Sequence, residues 1–318
     1  MEKEHLTVQE IDDILEKFGN GEAENQIRYG YSNKAVIKNI TEKINQASKQ
    51  VELIFSNIML GEELNISALE KEILPIISQA SEIPHIYHLF YELNKSEEYT
   101  YKHTIGVGII SLMIGKWLKL SEGELRELAM GATLHDIGKT RINPFILNKK
   151  GKLTKEEYEE VQLHTSYGYE ILRKMDHLSD RVALVALHHH EREDGRGYPK
   201  GLEGNQIDLY SKIVAIADMF HAMLSRRAYQ EPLTFYSALR QLQDHAFGKL
   251  DAKITLLFLY KLMDSIIGRS VMLSDGSIGK ILMIDRYDPL RTLVQIKDQI
   301  IDLKLNRELN IEKVVNDE

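Results

Sequence analysis

The sequence predicts a mainly α-helical protein that ends in a small β-rich segment, and three observations support this fold class. Apolar residues recur at steps of three and four from Val36 to Ile58, which is the period of one helix face. A hydroxyl residue stands three positions before a glutamate at Ser121 and at Thr154, the capping-box arrangement typical of helix starts. After residue 267, short aliphatic runs flank an Asp-Gly pair, which is a hairpin signal.

These patterns divide the chain into three regions. We expect residues 1–84 to form a helical regulatory or dimerising region, residues 85–267 to form a helical bundle that carries the chemistry, and residues 268–318 to form a small β appendage. The apolar stripe of the first region is narrow enough for a dimer seam, and packing on the rest of its own chain is an equally good interpretation. We interpret the β appendage as a packed cap rather than a binding module.

Composition argues against several classes of function. The chain of 318 residues is 43% hydrophobic and 28% charged, which is typical of a globular protein. Its formal net charge of -8 argues against a general nucleic-acid binder, which is usually basic. It has no cysteine, which excludes disulfides, thiolate metal sites and cysteine nucleophiles.

The sequence also gives an expectation for location. The charged N-terminus lacks the apolar core of a signal peptide. The longest apolar run, which starts at Ile105, has about 14 residues, whereas a membrane span needs about 20. We therefore expect a buried helix at this run and a cytoplasmic protein without a membrane span.

Histidines and aspartates that suit a metal recur through the central region at intervals of about 25 to 32 residues. We expect each to lie near the end of a helix, so that antiparallel helices bring them to one point inside a bundle. Imidazole and carboxylate groups without sulfur suit iron, manganese, zinc or nickel. The candidates, of which six or seven would bind metal, are His103, His135, Asp136, His164, His188, His189, His190 and Asp218, and Lys139 lies in the same motif as His135 and Asp136.

This set is too large for one ion and suits a pair about 3.5–4 Å apart. An aspartate can bridge such a pair through its two oxygens, and Asp136 is the natural candidate. A water shared between the ions would be acidified enough to act as hydroxide near neutral pH.

In their order, these motifs resemble those of the HD-GYP domain family, a branch of the HD phosphohydrolases. The motif "HDIGK" begins at His135, and "HHEREDGRGYP" begins at His189. The resemblance covers roughly Tyr99 to Ile267 and continues through "KIVAIADMFHAMLSRRAYQ". It implies an HD-type helical bundle that hydrolyses cyclic di-GMP to pGpG or GMP, using two or three metal ions that are often iron or manganese.

Carried over by position, the resemblance implies roles for single residues. Lys139 would contact the scissile phosphate and offset the negative charge that develops on its oxygens, and with Asp136 it would carry the catalysis. Arg227 would bind a ligand phosphate through its planar fork. The implied metal ligands are His103, His135, Asp136, His164, His189, His190 and Asp218.

Four positions depart from the family pattern: Tyr99, His221, Gln230, which stands where a basic residue is common, and Ala228, which stands where proline is common. Tyr99 stands where members with a third metal carry a glutamate, so we expect two metals. His221 stands where aspartate is usual, three residues after Asp218. We interpret His221 as a packing or second-sphere residue, and the sharper alternative is an extra ligand or a hydrogen-bond partner of a bound water.

The run of three histidines, His188 to His190, contains two candidate ligands and one residue that we do not expect to bind metal. A helix rotates about 100° per residue, so three successive side chains could hardly all face one metal site, and His188 precedes the pair that the family uses. The glycines that follow allow a tight turn. We expect that turn to present Tyr198 beside the pocket, facing the substrate or a partner.

The leading hypothesis is metal-assisted hydrolysis of cyclic di-GMP by a hydroxide shared between two ions. One rival is the same chemistry on another cyclic dinucleotide or nucleotide. Another is a non-catalytic sensor or scaffold that binds the dinucleotide, which predicts a broken ligand set, and none is broken here. The expected partners are cyclic di-GMP, a GGDEF-type cyclase bound through the GYP loop and a second copy of the chain, with no nucleic acid.

Overall fold

The computed structural model describes residues 6–18, 34–83, 89, 100–176, 178–225 and 232–315. Tyr99, Arg227, Ala228 and Gln230, all singled out by the sequence, lie outside these residues. Within the described part of the chain, no helix is both long enough and apolar enough to cross a membrane.

The N-terminal region is helical. It consists of α1 (Val8–Phe18), α2 (Lys34–Met59), α3 (Ile66–Ala68), a π-helical turn (Leu69–Ile73) and α4 (Leu74–Ser81). The stripe on α2 packs against its own chain, because Ile40, Ile44 and Val51 are buried in the core that α2 forms with α4 and α5. At the start of the stripe Val36 is 50% exposed.

The central region is a bundle of helices that pack against one another. Its helices are α5 (Thr100–Trp117), α6 (Glu122–Leu134), α7 (Pro144–Leu147), α8 (Lys155–Gln162), α9 (His164–Leu172), α10 (Asp180–His188), α11 (Leu209–Leu224), α12 (Phe235–His245) and α13 (Ala252–Asp264). Helix α5 contains the apolar run at Ile105, and it contacts α2, α4, α6 and α11. A helix that is apolar on all sides is buried on all sides, as predicted for this run.

Local sequence signals set several helix starts. The carboxylate of Glu124 accepts the backbone N–H of Ser121 at 2.9 Å, at the start of α6. The carboxylate of Glu157 accepts the N–H of Thr154 at 2.7 Å, at the start of α8. Both predicted capping boxes are therefore confirmed, and they place α6 so that it ends at the HD motif.

The C-terminal residues form an antiparallel sheet with strand order β4-β3-β2-β1-β5. The strands are β1 (Ser270–Leu273), β2 (Ile278–Met283), β3 (Leu293–Ile296), β4 (Gln299–Asp302) and β5 (Ile311–Val314). The predicted hairpin joins β1 to β2, and its Gly276 has a φ of 82°, a conformation that favours glycine. The sheet lies on α12, where Arg240 Nη2 donates to Asn310 Oδ1 at 2.6 Å.

Candidate metal centre

The HD motif forms the turn at the end of α6. His135 caps the helix, and Asp136 leads into a 3-10 helix, Ile137–Arg141. Gly138 lies against the first turn of α9, where a Cβ atom on this glycine would sit 1.9 Å from the carbonyl oxygen of His164. No side chain fits there, so the glycine allows the close approach that brings Asp136 beside His164.

Three of the histidines are oriented by the same kind of hydrogen bond, from Nδ1 to a backbone carbonyl. The Nδ1 atom lies 2.7 Å from Ala132 O in His135, 2.6 Å from Val161 O in His164, and 3.0 Å from Val185 O in His189. A carbonyl oxygen only accepts, so each Nδ1 carries the hydrogen and donates it. Each Nε2 is then left with a free lone pair, which is the form that binds a metal.

Asp136 stands at the centre of the site. Its Oδ2 lies 3.3 Å from Nε2 of His135 and 2.5 Å from Nζ of Lys139. Its Oδ1 lies 3.4 Å from Nε2 of His164 and 3.9 Å from Nε2 of His189. One oxygen of the carboxylate therefore faces His135 and the other faces His164 and His189, which is the geometry that a bridging ligand needs.

The remaining candidates come from α5, α10 and α11. Nε2 of His103 lies 3.0 Å from Oδ1 of Asp218. Asp218 lies in the interior of α11, whereas the sequence interpretation put every candidate near a helix end. That expectation was wrong for Asp218, because α11 continues past the motif to Leu224.

His190 faces the same centre from the loop after α10. Its ring centroid lies 4.1 Å from that of His189 and 5.2 Å from that of His164. The ring of Tyr198 packs on His190 at 4.7 Å and is half-buried. Tyr198 thus supports a candidate ligand at the edge of the site and does not project freely from the loop.

The carboxylate of Glu191 holds the loop that carries Tyr198 in place. The sequence did not predict this role. Glu191 is buried, and it accepts the backbone N–H groups of Lys200 at 2.7 Å and Leu202 at 2.9 Å. Gly195 and Gly201 have φ values of 70° and 65°, which glycine adopts without strain. The signal in the sequence was a glutamate followed by a glycine-rich turn.

Burial sets the protonation of the histidines on one side of Asp136. Burial lowers the pKa of His164 to about 4 and that of His190 to about 3. Burial and the neighbouring His190 lower the pKa of His189 well below its ordinary value. Burial acts to raise the pKa of Asp136, but the charges of Lys139 and an adjacent histidine hold it well below its ordinary value. At pH 7 these three histidines are neutral and the carboxylate is ionised, as metal ligands must be.

The residues present fit a divalent metal. Nε2 of His135 and Oδ1 of Asp136 are buried without a hydrogen-bond partner among the described residues, and such atoms need a partner. Nitrogen and oxygen donors without sulfur match a divalent transition metal. Among the described residues, two groups have ligand atoms within 4.8 Å of one another: His103 with His135 and Asp136, and His164 with His189 and His190.

His188, the first residue of the triplet, points elsewhere. Its Nδ1 lies 3.5 Å from Oδ2 of Asp208, the residue that caps the start of α11. The structure therefore separates His188 from the neighbouring pair, His189 and His190.

The chain is similar to several known proteins. The model of the HD domain family matches residues 88–254. A cyclic di-GMP phosphodiesterase of Pseudomonas aeruginosa is 30% identical over 268 residues, which is 81% of this chain and 64% of the relative. A cyclic di-GMP phosphodiesterase of Thermotoga maritima is 41% identical over 179 residues, which is 51% of this chain and 49% of the relative.

A third relative acts on a different dinucleotide. This is a 3'3'-cGAMP-specific phosphodiesterase of Vibrio cholerae, 35% identical over 153 residues, or 48% of this chain and 33% of the relative. The chain thus spans less than two thirds of the length of each of these relatives.

A solved structure shares the fold. It is an HDG"Y"P protein of Bdellovibrio bacteriovorus, with a TM-score of 0.53 and 16% identity over 79% of this chain and 76% of the other. The family model spans more than half of the chain, and the HD and GYP motifs meet in one site. The chain therefore belongs to the HD domain family.

Proposed function

We propose that this chain is a metal-dependent phosphodiesterase that hydrolyses cyclic di-GMP to pGpG or GMP. The observation that supports this most is the carboxylate of Asp136, of which one oxygen faces His135 and the other faces His164 and His189. The relatives from Pseudomonas aeruginosa and Thermotoga maritima are named as cyclic di-GMP phosphodiesterases, which supports the same substrate.

The proposed centre holds two divalent ions, with iron or manganese as the best candidates and zinc or nickel as alternatives. When bound, the pair supplies Lewis acidity and the activation of water for attack on phosphorus. One position would be held by His103, His135 and Asp218, the other by His164, His189 and His190, with Asp136 shared between them.

The side chains themselves orient the substrate and manage charge. Lys139 lies with its Nζ beside Asp136, and 37% of its side chain is exposed, so the ammonium group can reach a phosphate oxygen. There it would offset the negative charge that develops on the phosphoryl oxygens during the reaction. Arg227 stays a predicted phosphate contact, because it lies outside the described residues.

A direct assay tests this function. Manganese-loaded protein is incubated with cyclic di-GMP, and linear products are separated by chromatography. We expect the wild-type chain to form pGpG or GMP, Asp136→Ala to form none, and His188→Ala to remain active. Intact cyclic di-GMP after prolonged incubation with the wild-type chain, despite measured binding, would favour the non-catalytic sensor instead.

A second candidate substrate is 3'3'-cGAMP, because one relative is named for that activity. The two dinucleotides differ in one base, and the phosphate chemistry argued above acts on either. Parallel measurement of kcat/KM on both separates the candidates. A higher value for 3'3'-cGAMP would replace cyclic di-GMP in the proposal.

Three further expectations stay predictions: a GGDEF-type cyclase bound through the GYP loop, a homodimer and a cytoplasmic location. The first two can be measured on purified protein. Light scattering reports the mass of the particle, and titration with a purified GGDEF domain reports binding to the loop.

A further inference from the structure

His103 differs from the other candidate ligands in what its second ring nitrogen contacts. In His135, His164 and His189, Nδ1 donates to a backbone carbonyl of the preceding turn. In His103, Nδ1 lies 3.0 Å from Nδ1 of His221, and the two ring centroids are 5.1 Å apart.

Three features hold the His221 ring in this place. The residue is buried, and Nε2 of its ring would lie 2.0 Å from a Cβ atom on Gly106, so only glycine on α5 leaves room for it. On the other side, the hydroxyl of Ser225 lies 3.1 Å from Nδ1 of His221 and donates to its carbonyl oxygen at 2.8 Å. The ring is therefore fixed by its own helix and by the facing one.

The contact between the two nitrogens sets a choice of tautomer. Two imidazole nitrogens at hydrogen-bond distance share one hydrogen, so one donates and the other accepts. Nε2 of His103 is the atom that faces Asp218, at 3.0 Å. At this distance Nε2 donates its hydrogen to the carboxylate. A metal can bind Nε2 only in place of that hydrogen, and the hydrogen of the neutral His103 ring is then on Nδ1.

We propose that His221 is a positioning residue, which accepts the Nδ1–H of His103 and so presents Nε2 of His103 to the metal beside Asp218. This inference rests on the proposed metal centre. In this role His221 accepts the Nδ1–H of His103, as a backbone carbonyl accepts the Nδ1–H of His135, His164 and His189. We do not assign it as a ligand, because its Nδ1 contacts His103 and Ser225 and its Nε2 lies against Gly106 on α5.

Substitutions that keep or remove the acceptor test this role. The side-chain oxygen of Asn or Asp lies two bonds from Cβ, as Nδ1 of histidine does, so His221→Asn and His221→Asp keep an acceptor in place. His221→Leu keeps bulk and removes the acceptor. Partners of this kind change metal affinity by about 10–100-fold.

The measurement is Mn²⁺ affinity at each site by equilibrium titration of the metal-free protein. We expect His221→Leu to lose about tenfold or more at one of two sites, His221→Asn to stay near wild type, and His221→Asp to bind more tightly, because a carboxylate is the stronger acceptor. His188→Leu, another buried histidine replaced in the same way, should bind Mn²⁺ like wild type. Equal losses in the Asn and Leu variants, or no loss in Leu, would overturn the role.

A spectroscopic measurement on the wild-type chain does not depend on any variant folding. Long-range ¹H–¹⁵N spectra of the Zn²⁺-loaded protein, labelled in histidine, report which ring nitrogen carries hydrogen. We expect His103 to carry it on Nδ1, and a hydrogen on Nε2 would overturn the proposal. A wild-type chain that binds neither Zn²⁺ nor Mn²⁺ would refute the proposed function. Normal metal affinity that does not change in the His221 variants would refute this inference alone.

Discussion

At the scale of residues, a histidine that binds a metal must present one unprotonated nitrogen in a fixed direction. In three of the candidate ligands, a hydrogen bond from the other ring nitrogen achieves this. His135, His164 and His189 each donate Nδ1–H to a carbonyl three or four residues earlier. Because that partner is local, each ring is oriented before any metal binds. The bond sets both the tautomer and the angle of the ring, so Nε2 of each residue points to Asp136.

The histidine triplet gives a prediction at this scale. His189→Ala should remove a candidate ligand and lower the metal content, whereas His188→Ala should leave two metals in place. His188→Ala should still cost about 1–2 kcal/mol of unfolding free energy, because it empties a buried position beside Asp208. Elemental analysis and urea unfolding measure the two effects. Metal loss in His188→Ala that equals the loss in His189→Ala would contradict the separation of the triplet.

Gly138 gives a second prediction, because it controls how closely the HD turn approaches α9. A Cβ atom there would meet His164 O at 1.9 Å and Gly168 N at 2.4 Å, and both are backbone atoms that cannot rotate away. We expect Gly138→Ala to lower the unfolding free energy by about 3 kcal/mol or more. Gly151→Ala is the matched control, since a Cβ atom on Gly151 would meet no other atom within 4 Å. Equal unfolding midpoints for the two variants would show that the turn can move away.

At the scale of elements, the GYP loop, which joins α10 to α11 and carries Tyr198, is held by hydrogen bonds at both of its ends. Glu191 holds its far end through two backbone amides. The start of the loop binds the connection between α12 and α13, where Asp194 N–H donates to Gly248 O at 2.8 Å. These bonds keep Tyr198 against His190, so the order of the loop and the position of a candidate ligand are linked.

Removal of Glu191 tests this support. In Glu191→Ala the amides of Lys200 and Leu202 lose their acceptor, and we expect them to exchange hydrogen at least tenfold faster, which corresponds to about 1.4 kcal/mol of lost local stability. Glu191→Gln keeps one acceptor oxygen and should protect more than Ala does. Hydrogen exchange followed by NMR resolves the two amides. Unchanged exchange in Glu191→Ala would show that the loop is held by other contacts.

The loop between β2 and β3 offers a prediction about pH. Asp285 accepts the N–H groups of Tyr287 and Asp288 and the ammonium of Lys304, each at 2.8 Å. Burial acts to raise the pKa of Asp285, but these donors lower it below its ordinary value. A lowered pKa in the folded state means that the stabilisation is complete above about pH 4, the pKa of an unfolded aspartate, and is lost as the pH falls through the folded pKa.

We therefore expect Asp285→Ala to cost about 1–2 kcal/mol at pH 7 and progressively less below pH 4. Urea unfolding of both proteins across this range measures the difference. Asp298→Ala, at an exposed turn of the same sheet, should stay within about 0.5 kcal/mol of wild type throughout. A cost of Asp285→Ala that grows on acidification would contradict the sign.

At the scale of the whole molecule, the N-terminal region and the helical bundle share one core. Helix α2 contacts α5 and also the 3-10 helix that follows Asp136. The N-terminal region therefore touches the support of the candidate metal centre directly.

Two residues of the same stripe on α2 test this shared core. Ile44 is fully buried and Val36 is 50% exposed. Ile44→Asn should cost about 3–5 kcal/mol of unfolding free energy, because it places an amide in the core. Val36→Asn should cost less than about 0.5 kcal/mol. Thermal unfolding compares them, and similar small costs for both would point to a stripe that is not part of the core.

The sequence by itself determined the features that depend on neighbours in the chain. The capping boxes at Ser121 and Thr154, the hairpin at Gly276 and the buried helix at Ile105 follow from interactions within a few residues. The family of the chain and its candidate ligands were predictable too, because the ordered motifs are specific.

Only the tertiary structure decided which side chains of different helices come into contact. His103 and His221 are 118 residues apart, and no local pattern records that their rings meet at Gly106. The same holds for the stripe on α2, whose period fits a dimer seam and a core equally well. Periodicity reports which face of a helix is apolar, whereas the partner of that face is chosen by the packing of the entire chain.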